Sequence, residues 1–413
     1  MSFLSKFLHK QKKGSSNKSN KEENKMNLQR DKASKTTGKN KSPQASHRDL
    51  AMSKGNLCAV YNRNEDFQCL NPFGVQPMNC QQVSEKNTLR FKQALEEDIA
   101  NLETLRNLTW QGVPLEHRPL VWKILLNYVP LNKNSRESTI SRKREEYESF
   151  VQKYFVELND SFDETEKKAM KLIKDDVHRT QPDYAIFHHQ KLQDMMTRIL
   201  WIWHVRHPAS GYVQGMNDLI TPFIATFLSE HINNLDPATF KIPSRFDEDC
   251  TDEIISQVEA DTFWCLCKIL DGILDNYTFS QSGTQKALDK IREITKKIDP
   301  ALFAHFQKRG VDFSFFSFRW IFCLLVREFP LKVGMRLFDT YISDEQGFSV
   351  LHAYICSALL LKWAVKLKKM NFTDIMLFLQ NMPTKQWSEE DIEIIIAEAY
   401  VFRTLYEGTF PSL

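Results

Sequence analysis

Residues 191–205 read KLQDMMTRILWIWHV and decide the class of fold. Apolar side chains recur in this stretch at the three- and four-residue intervals of an α-helix, without an interrupting Gly or Pro. The pattern predicts a short buried helix. GYVQGMND follows at residues 211–218, and a second apolar helical pattern covers residues 218–229.

The same periodicity recurs from Asn87 towards the end of the chain, including one pattern over Phe316–Phe329, and clear strand alternation is absent. The 413 residues contain only 13 Gly and 15 Pro, fewer than the average usage of roughly 7% and 5%. So few chain breakers favour long helices over a turn-rich β protein or a glycine-rich nucleotide-binding fold. We predict an all-α fold of roughly fourteen to sixteen helices.

The charge is unevenly distributed along the chain. Residues 1–50 contain 11 Lys and 2 Arg but only 2 Asp and 2 Glu, a net charge of +9, so the remaining residues carry −6 of the total of +3. Residues 11–46 hold one Leu and no aromatic residue, a composition too polar to bury a core. We therefore predict a disordered basic tail and linker over residues 1–88 and a folded domain over residues 89–413.

The first ten residues place apolar side chains at helical spacing beside lysines, at Phe3, Leu4, Phe7, Leu8, Lys6 and Lys10. This pattern fits a short amphipathic membrane contact, an inert start or a protein-docking peptide. The acidic folded region lacks the concentrated Lys and Arg of a nucleic-acid surface, so we expect no nucleic-acid partner.

Familiar catalytic signatures are missing from the sequence. It contains no Walker sequence, dinucleotide fingerprint, metalloprotease helix or Cys and His spacing of a zinc site. Its eight Cys are too few for a disulfide scaffold, so we expect them to be reduced and mostly buried in an intracellular protein. We predict no metal site and no nucleotide site of its own.

Residues 173–182 read IKDDVHRTQP and carry the first candidate site. Asp176 and Arg179 are three residues apart and share one helix face, and Pro182 disfavours helix at Gln181. Arg179 is therefore expected near a helix end, where it can reach a partner while Asp176 holds it. The spacing alone favours an ordinary surface ion pair over such a role.

The GYVQGMND segment carries the second candidate site. Its two glycines permit tight turns, which would present Gln214 on a rigid loop between two buried helices. Asn217 or Asp218 is expected to cap the next helix. Glycines that serve only helix packing are the alternative.

Two further segments are interpreted as structural. The first, WQGVP at residues 110–114, precedes a helix that Pro119 can open. In the second, we expect Arg327 and Glu328 to fix a helix end, and Arg336 and Asp339 to form an ion pair three residues apart.

Together these segments resemble the TBC-domain family, whose members are GTPase-activating proteins for Rab GTPases. The family's motifs I-x-x-D-x-x-R and Y-x-Q-G stand here at Ile173 to Arg179 and at Tyr212 to Gly215. They are flanked by W-x-G-V-P and by S-F-R-W at residues 317–320. The resemblance runs from about Leu105 to Tyr400 and is strongest to a Golgi-associated branch of the family.

The resemblance implies a two-lobed helical TBC domain whose Arg179 is an arginine finger and whose Gln214 is a glutamine finger. It implies supporting or substrate-binding roles for Asp176, Ile173, Tyr212, Gly215, Asn217 and Asp218. The partner would be a GTP-bound Rab that carries the GTP and Mg²⁺, and the chain would have no independent GTPase activity. It further implies a cytoplasmic protein peripheral to the Golgi or other endomembranes, regulating vesicle traffic, with the tail binding a Golgi adaptor or an anionic membrane. The alternative is a catalytically silent module that binds a Rab or an adaptor.

Overall fold

Helices make up the regular structure of residues 80–156, 162–232, 235 and 239–409, the part of the chain that this computed structural model describes. The first nine are α1 (Cys80–Glu96), α2 (Leu102–Trp110), α3 (Arg118–Leu125), α4 (Arg136–Val151), α5 (Glu164–His178), α6 (Gln190–Arg206), α7 (Met216–Leu219), α8 (Thr221–His231) and α9 (Phe246–Asp249). The others are α10 (Asp252–Ile273), α11 (Ser282–Ile298), α12 (Pro300–Arg309), α13 (Ser314–Phe322), α14 (Leu331–Ser343), α15 (His352–Lys362), α16 (Ala364–Leu367), α17 (Phe372–Gln380) and α18 (Glu389–Tyr406).

The predicted all-α class is confirmed. Fifteen of the helices within the described ranges have at least eight residues. The β structure in those ranges is a single bridge between Ile99 and Asn132. The described residues from Cys80 onward belong to one compact unit, and the division into two lobes stays a prediction.

The helix predicted from KLQDMMTRILWIWHV lies at the centre of the fold as α6. Eight of its apolar side chains are fully buried, at Leu192, Met195, Met196, Ile199, Leu200, Trp201, Ile202 and Trp203. It packs against α5 on one side and the long helix α10 on another, and α10 also contacts α4 and α8. Burial of so many large side chains fixes the ends of α5 and α6, from which the candidate site projects.

A buried ion pair joins segments far apart in the sequence. Asp339 of α14 is fully buried and accepts hydrogen bonds from Arg118 Nε (3.0 Å), Arg118 Nη2 (3.0 Å), Trp122 Nε1 (2.8 Å) and the Val113 backbone N–H (3.0 Å). The predicted pair of Arg336 and Asp339 is therefore wrong. Arg336 Nε instead donates to Glu393 at 3.0 Å. Arg336 and Asp339 thus each pair with a side chain on another helix.

The start of the folded region also differs from the prediction. Helix α1 begins at Cys80, so residues 80–88, which the prediction included in the disordered tail and linker, are helical. The basic tail and its amphipathic first residues lie outside the described residues, and the domain assignment stays a prediction.

A third difference concerns the pattern over Phe316–Phe329, which predicted one helix. Helix α13 ends at Phe322, and the chain turns before α14. Leu324 and Leu325 adopt positive φ angles of 46° and 62° in this turn. Contacts to the candidate site, described below, override the local helical pattern there.

Five cysteines of the described residues are free and buried, at Cys250, Cys265, Cys267, Cys323 and Cys356. This agrees with the prediction of reduced, buried thiols. Each helix in the described ranges is too short or too polar to cross a lipid bilayer.

Candidate functional site

The end of α5 presents the first candidate residues. A capping box begins this helix, with Asp163 accepting from the Glu166 N–H (2.8 Å) and Glu166 accepting from the Asp163 N–H (2.9 Å). At the other end the helix stops at His178, and Arg179 is its C-cap. The Asp176 side chain is buried, whereas the Arg179 side chain is 55% exposed. The helix end thus aims a cation at solvent, as the sequence predicted.

Asp176 binds three side chains from two segments of the chain. Its Oδ1 accepts hydrogen bonds from Arg179 Nη2 and from Gln214 Nε2, the latter at 3.2 Å. Its Oδ2 accepts from the Tyr212 hydroxyl at 2.7 Å. Burial and the neighbouring Asp176 charge raise the pKa of Tyr212 well above its ordinary value, so the hydroxyl stays protonated and donates.

The loop that carries Gln214 has a tightly defined backbone. Gly211 and Gly215 adopt φ angles of 60° and 109°, which L side chains rarely adopt. A Cβ atom on Gly215 would lie 3.3 Å from Cys323 Sγ. The Tyr212 N–H donates to His204 Nδ1 at 3.0 Å, and burial lowers the pKa of His204, which keeps this acceptor nitrogen unprotonated. The loop therefore holds Gln214 in one place.

The Asn217 side chain connects the two motifs through hydrogen bonds. Its Oδ1 accepts from the Gly215 N–H (3.2 Å), and its Nδ2 donates to Thr180 Oγ1 (2.9 Å). Thr180 Oγ1 donates in turn to the Asp176 carbonyl (2.9 Å). The expected capping role is wrong for both Asn217 and Asp218. They lie inside the short helix α7, and α8 begins without a side-chain cap.

Asp218 is the second buried carboxylate of the site. Its Oδ2 lies 3.5 Å from the Cys323 thiol and 3.9 Å from Arg327 Nε. Burial raises its pKa from the ordinary 3.8 to about 6, although Arg327 opposes this shift. Arg327 and Cys323 lie in the turn after α13, which the sequence analysis treated as part of a helix.

The structure brings seven of the eight predicted residues into this one cluster: Asp176, Arg179, Tyr212, Gln214, Gly215, Asn217 and Asp218. The eighth, Ile173, is fully buried and packs in the core one turn before Asp176. Sequence reasoning did not assign Thr180, His204, Cys323 or Arg327 to the site, and it gave Arg327 only a structural role. Thr180 directly follows Arg179, a local signal. His204 lies eight residues before Tyr212 on the preceding helix, and nothing local links it or residues 323–327 to the site.

The chemistry of the cluster follows from this geometry. A half-exposed guanidinium and a primary amide are anchored to the same carboxylate oxygen, and the guanidinium has further N–H donors for a ligand. Such a pair suits an anionic oxygen and a water molecule. Nowhere in the described ranges do three or more His, Cys, Asp or Glu side chains form a group able to hold a metal ion.

Comparisons with known proteins agree with the two motifs. The Rab-GTPase-TBC domain family matches residues 115–368. The chain is 45% identical over 338 residues to GTPase-activating protein gyp1 of Schizosaccharomyces pombe, covering 80% of this chain and 65% of that protein. It is 41% identical over 338 residues to human TBC1 domain family member 22B, covering 81% of this chain and 65% of the relative. The chain thus spans about 65% of the length of these two relatives.

A solved structure extends the comparison to the fold. The crystal structure of the Ypt/Rab-GAP domain of Gyp1p aligns with a TM-score of 0.73 at 39% identity, covering 78% of this chain and 99% of that one. These findings confirm the resemblance that the sequence motifs indicated. With a family match over more than half of its length and relatives above 40% identity, the chain belongs to the Rab-GTPase-TBC domain family.

Proposed function

We propose that this chain accelerates GTP hydrolysis by a Rab GTPase, with Arg179 as an arginine finger and Gln214 as a glutamine finger. The observation that carries the proposal is the shared anchor, since both side chains bond Asp176 Oδ1. Family membership supports the same function, because both of its motifs contribute to this cluster.

The chemistry of phosphoryl transfer needs what the two side chains offer. Hydrolysis builds negative charge on the terminal phosphate and the leaving oxygen, and it requires an oriented water. Arg179 supplies a charge-assisted donor to the phosphate oxygens, and the Gln214 amide orients the water. The Asp176 side chain is buried and positions both of them through hydrogen bonds.

The reacting groups other than these two fingers would belong to the partner. We propose that the Rab carries the GTP and the Mg²⁺, and that the chain has no nucleotide or metal cofactor of its own. Activity would therefore depend on a GTP-bound partner, and the chain alone would hydrolyse nothing.

The proposed cellular role follows from the family resemblance. We propose that the chain regulates vesicle traffic as a cytoplasmic protein peripheral to the Golgi or another endomembrane. The basic residues 1–50 would bring it to an adaptor or to an anionic membrane, since their net charge of +9 favours an acidic surface.

Single-turnover GTP hydrolysis by a panel of purified Rabs tests the proposal. We expect the full chain to accelerate one or a few Rabs, and the Arg179→Ala variant to lose about 10³-fold or more of that acceleration. Gln214→Ala should lose a factor of about 10² or more, typical of one transition-state donor. Arg245→Ala serves as the control, because that exposed arginine pairs with Glu248 on its own segment.

Binding to a Rab loaded with the transition-state mimic GDP–aluminium fluoride distinguishes a GTPase activator from a catalytically silent binding module. A catalyst binds this mimic more tightly than the GDP form, and both finger variants should reduce the difference. A wild-type chain that binds a Rab equally in both forms and accelerates none would contradict the proposal and favour the silent binding module.

A further inference from the structure

The turn between α13 and α14 brings a second arginine to the candidate site. Leu324 and Leu325 are fully buried and both have positive φ, a conformation that non-glycine residues adopt only when the surroundings impose it. This reversal of the chain direction places Arg327 beside Asp218. Strained backbone of this kind concentrates at functional sites.

Contacts on both sides of Arg327 hold its backbone in place. Before it, the Cys323 thiol bonds Asp218. After it, the buried carboxylate of Glu328 accepts two hydrogen bonds from Arg319, at 2.6 and 2.8 Å, and the Glu328 carbonyl accepts one from Thr384. Arg327 is thus a rigidly mounted residue, and its own side chain is not needed for these contacts.

The Arg327 side chain is available to a ligand. It is 55% exposed, and its Nε lies 3.9 Å from Asp218 Oδ2, beyond hydrogen-bond distance. Within the described ranges no acceptor takes a hydrogen bond from its guanidinium. The Asp218 charge raises the pKa of Arg327, so the side chain stays fully charged.

The cluster therefore holds two buried carboxylates, Asp176 and Asp218, each with one half-exposed arginine beside it. Arg179 shares its carboxylate oxygen with Gln214, whereas in the part of the chain that the structure describes no side-chain amide bonds Asp218 beside Arg327. Arg179 and Gln214 therefore act as a pair, whereas Arg327 presents a cation alone. A guanidinium with free N–H groups on a fixed backbone matches a pair of anionic oxygens bidentately.

We propose that Arg327 binds an anionic oxygen pair of the GTP-loaded partner and sets the affinity for that partner, while Arg179 and Gln214 set the rate. The oxygen pair comes either from a carboxylate of the GTPase or from the nucleotide phosphates. The inference rests on the proposed function, because it names a binding residue of the same site.

The kinetics of activation distinguish an affinity role from a catalytic one. For a Rab that the wild-type chain accelerates, we expect Arg327→Gln to raise the KM for the GTPase about tenfold or more, with kcat changed less than about twofold. Arg327→Lys should recover part of the loss, and the dependence of KM on salt should weaken in Arg327→Gln. Arg245→Gln is the control and should match the wild type in both constants.

Binding measured separately from hydrolysis identifies the source of the oxygens. An equal loss of affinity in the GDP form and in a non-hydrolysable GTP-analogue form assigns the oxygen pair to a GTPase carboxylate or to the phosphates that GDP retains. Adding GDP to the free chain separates these two, since only phosphate recognition predicts competition by the nucleotide. A loss confined to the GTP-analogue form assigns the pair to the terminal phosphate.

An unchanged KM, or a fall in kcat as large as that of Arg179→Ala at unchanged KM, would overturn the inference. Circular dichroism and the midpoint of thermal unfolding should show that both Arg327 variants fold. A wild-type chain that binds a Rab without accelerating hydrolysis would refute the proposed function alone, because the affinity comparison at Arg327 would still stand.

Discussion

Asp218 is a buried carboxylate, and burial disfavours its ionised form. Burial raises its pKa from 3.8 to about 6, so the folded protein binds this proton more tightly than the unfolded chain does. The resulting stabilisation is fully present below pH 3.8 and is lost as the pH rises through about 6. At neutral pH the ionised form therefore costs up to roughly 3 kcal/mol of folding free energy.

The variant Asp218→Asn tests this account. We expect it to raise the free energy of unfolding at pH 7.5 by about 1–3 kcal/mol, because the amide is neutral at every pH. The gain should shrink towards zero as the pH falls to 4. Urea unfolding of both proteins at several pH values measures it, and a constant difference across this range would contradict the pKa shift.

The same substitution tests how Asp218 acts on Arg327. It removes a negative charge that lies 3.9 Å from Arg327 and repels the anionic oxygens that Arg327 would bind. The proposed affinity role therefore predicts a KM for the GTPase that is unchanged or lower, together with the gain in stability. A KM raised about tenfold, as expected for Arg327→Gln, would show instead that Arg327 depends on Asp218 for its position.

At the scale of an element, the loop around Gln214 depends on Gly215. Its φ of 109° is unfavourable for any side chain, and an added Cβ would press on Cys323 Sγ at 3.3 Å. We expect Gly215→Ala to lower the free energy of unfolding by about 1–2 kcal/mol. Because the strain displaces Gln214, activation of the GTPase should also fall at least about tenfold.

Gly310→Ala is the matched control for that loop. Gly310 also has a positive φ, of 73°, but a Cβ there meets no atom of the described residues within 4 Å. Denaturation and single-turnover hydrolysis should show a similar loss of stability for both variants and a loss of activation for Gly215→Ala only. Equal activation by the two variants would contradict the role given to the loop geometry.

Individual elements show what the sequence could and could not predict. The spacing of Asp176 and Arg179 and the glycines around Gln214 are local signals, and the structure brings these residues together. The turn at Leu324 and Leu325 could not be predicted, because its apolar residues continue the helical pattern of α13. Cys323 bonds Asp218 and Glu328 bonds Arg319 in this turn. The first of these contacts depends on the tertiary fold, because Asp218 lies 105 positions away in the sequence.

The same limit applies to ion pairs at the scale of the whole molecule. Helical spacing suggested that Arg336 would pair with Asp339, whereas Asp339 pairs with Arg118, 221 positions earlier in the chain. The all-α class could be predicted because hydrophobic periodicity is local. The choice among charged partners is made when α3 packs on α14, and one sequence contains no direct signal of that contact.

The Arg118–Asp339 pair gives a test of how the whole domain is held together. Both side chains are buried, 6% and 0% exposed, so removing either partner leaves an uncompensated charge in the core. We expect Arg118→Met and Asp339→Leu each to lower the free energy of unfolding by about 3–5 kcal/mol. The double variant should lose clearly less than the sum, since it leaves neither charge unpaired. Lys167→Ala, which removes an exposed pair with Glu164, should cost less than about 1 kcal/mol.

Measuring activation of the GTPase distinguishes the structural role of Arg118 and Asp339 from the catalytic role proposed for Arg179 and Gln214. In the described ranges, Arg118 and Asp339 form no hydrogen bond or ion pair with the cluster around Asp176 and Asp218. The folded fraction of each variant should therefore retain the wild-type kcat at low temperature, where the protein remains folded. Chemical denaturation gives the stabilities, and single-turnover hydrolysis corrected for the folded fraction gives the rates. Additive stability losses in the double variant would show that Arg118 and Asp339 act independently, and a collapse of kcat in folded protein would place this pair in the catalytic machinery.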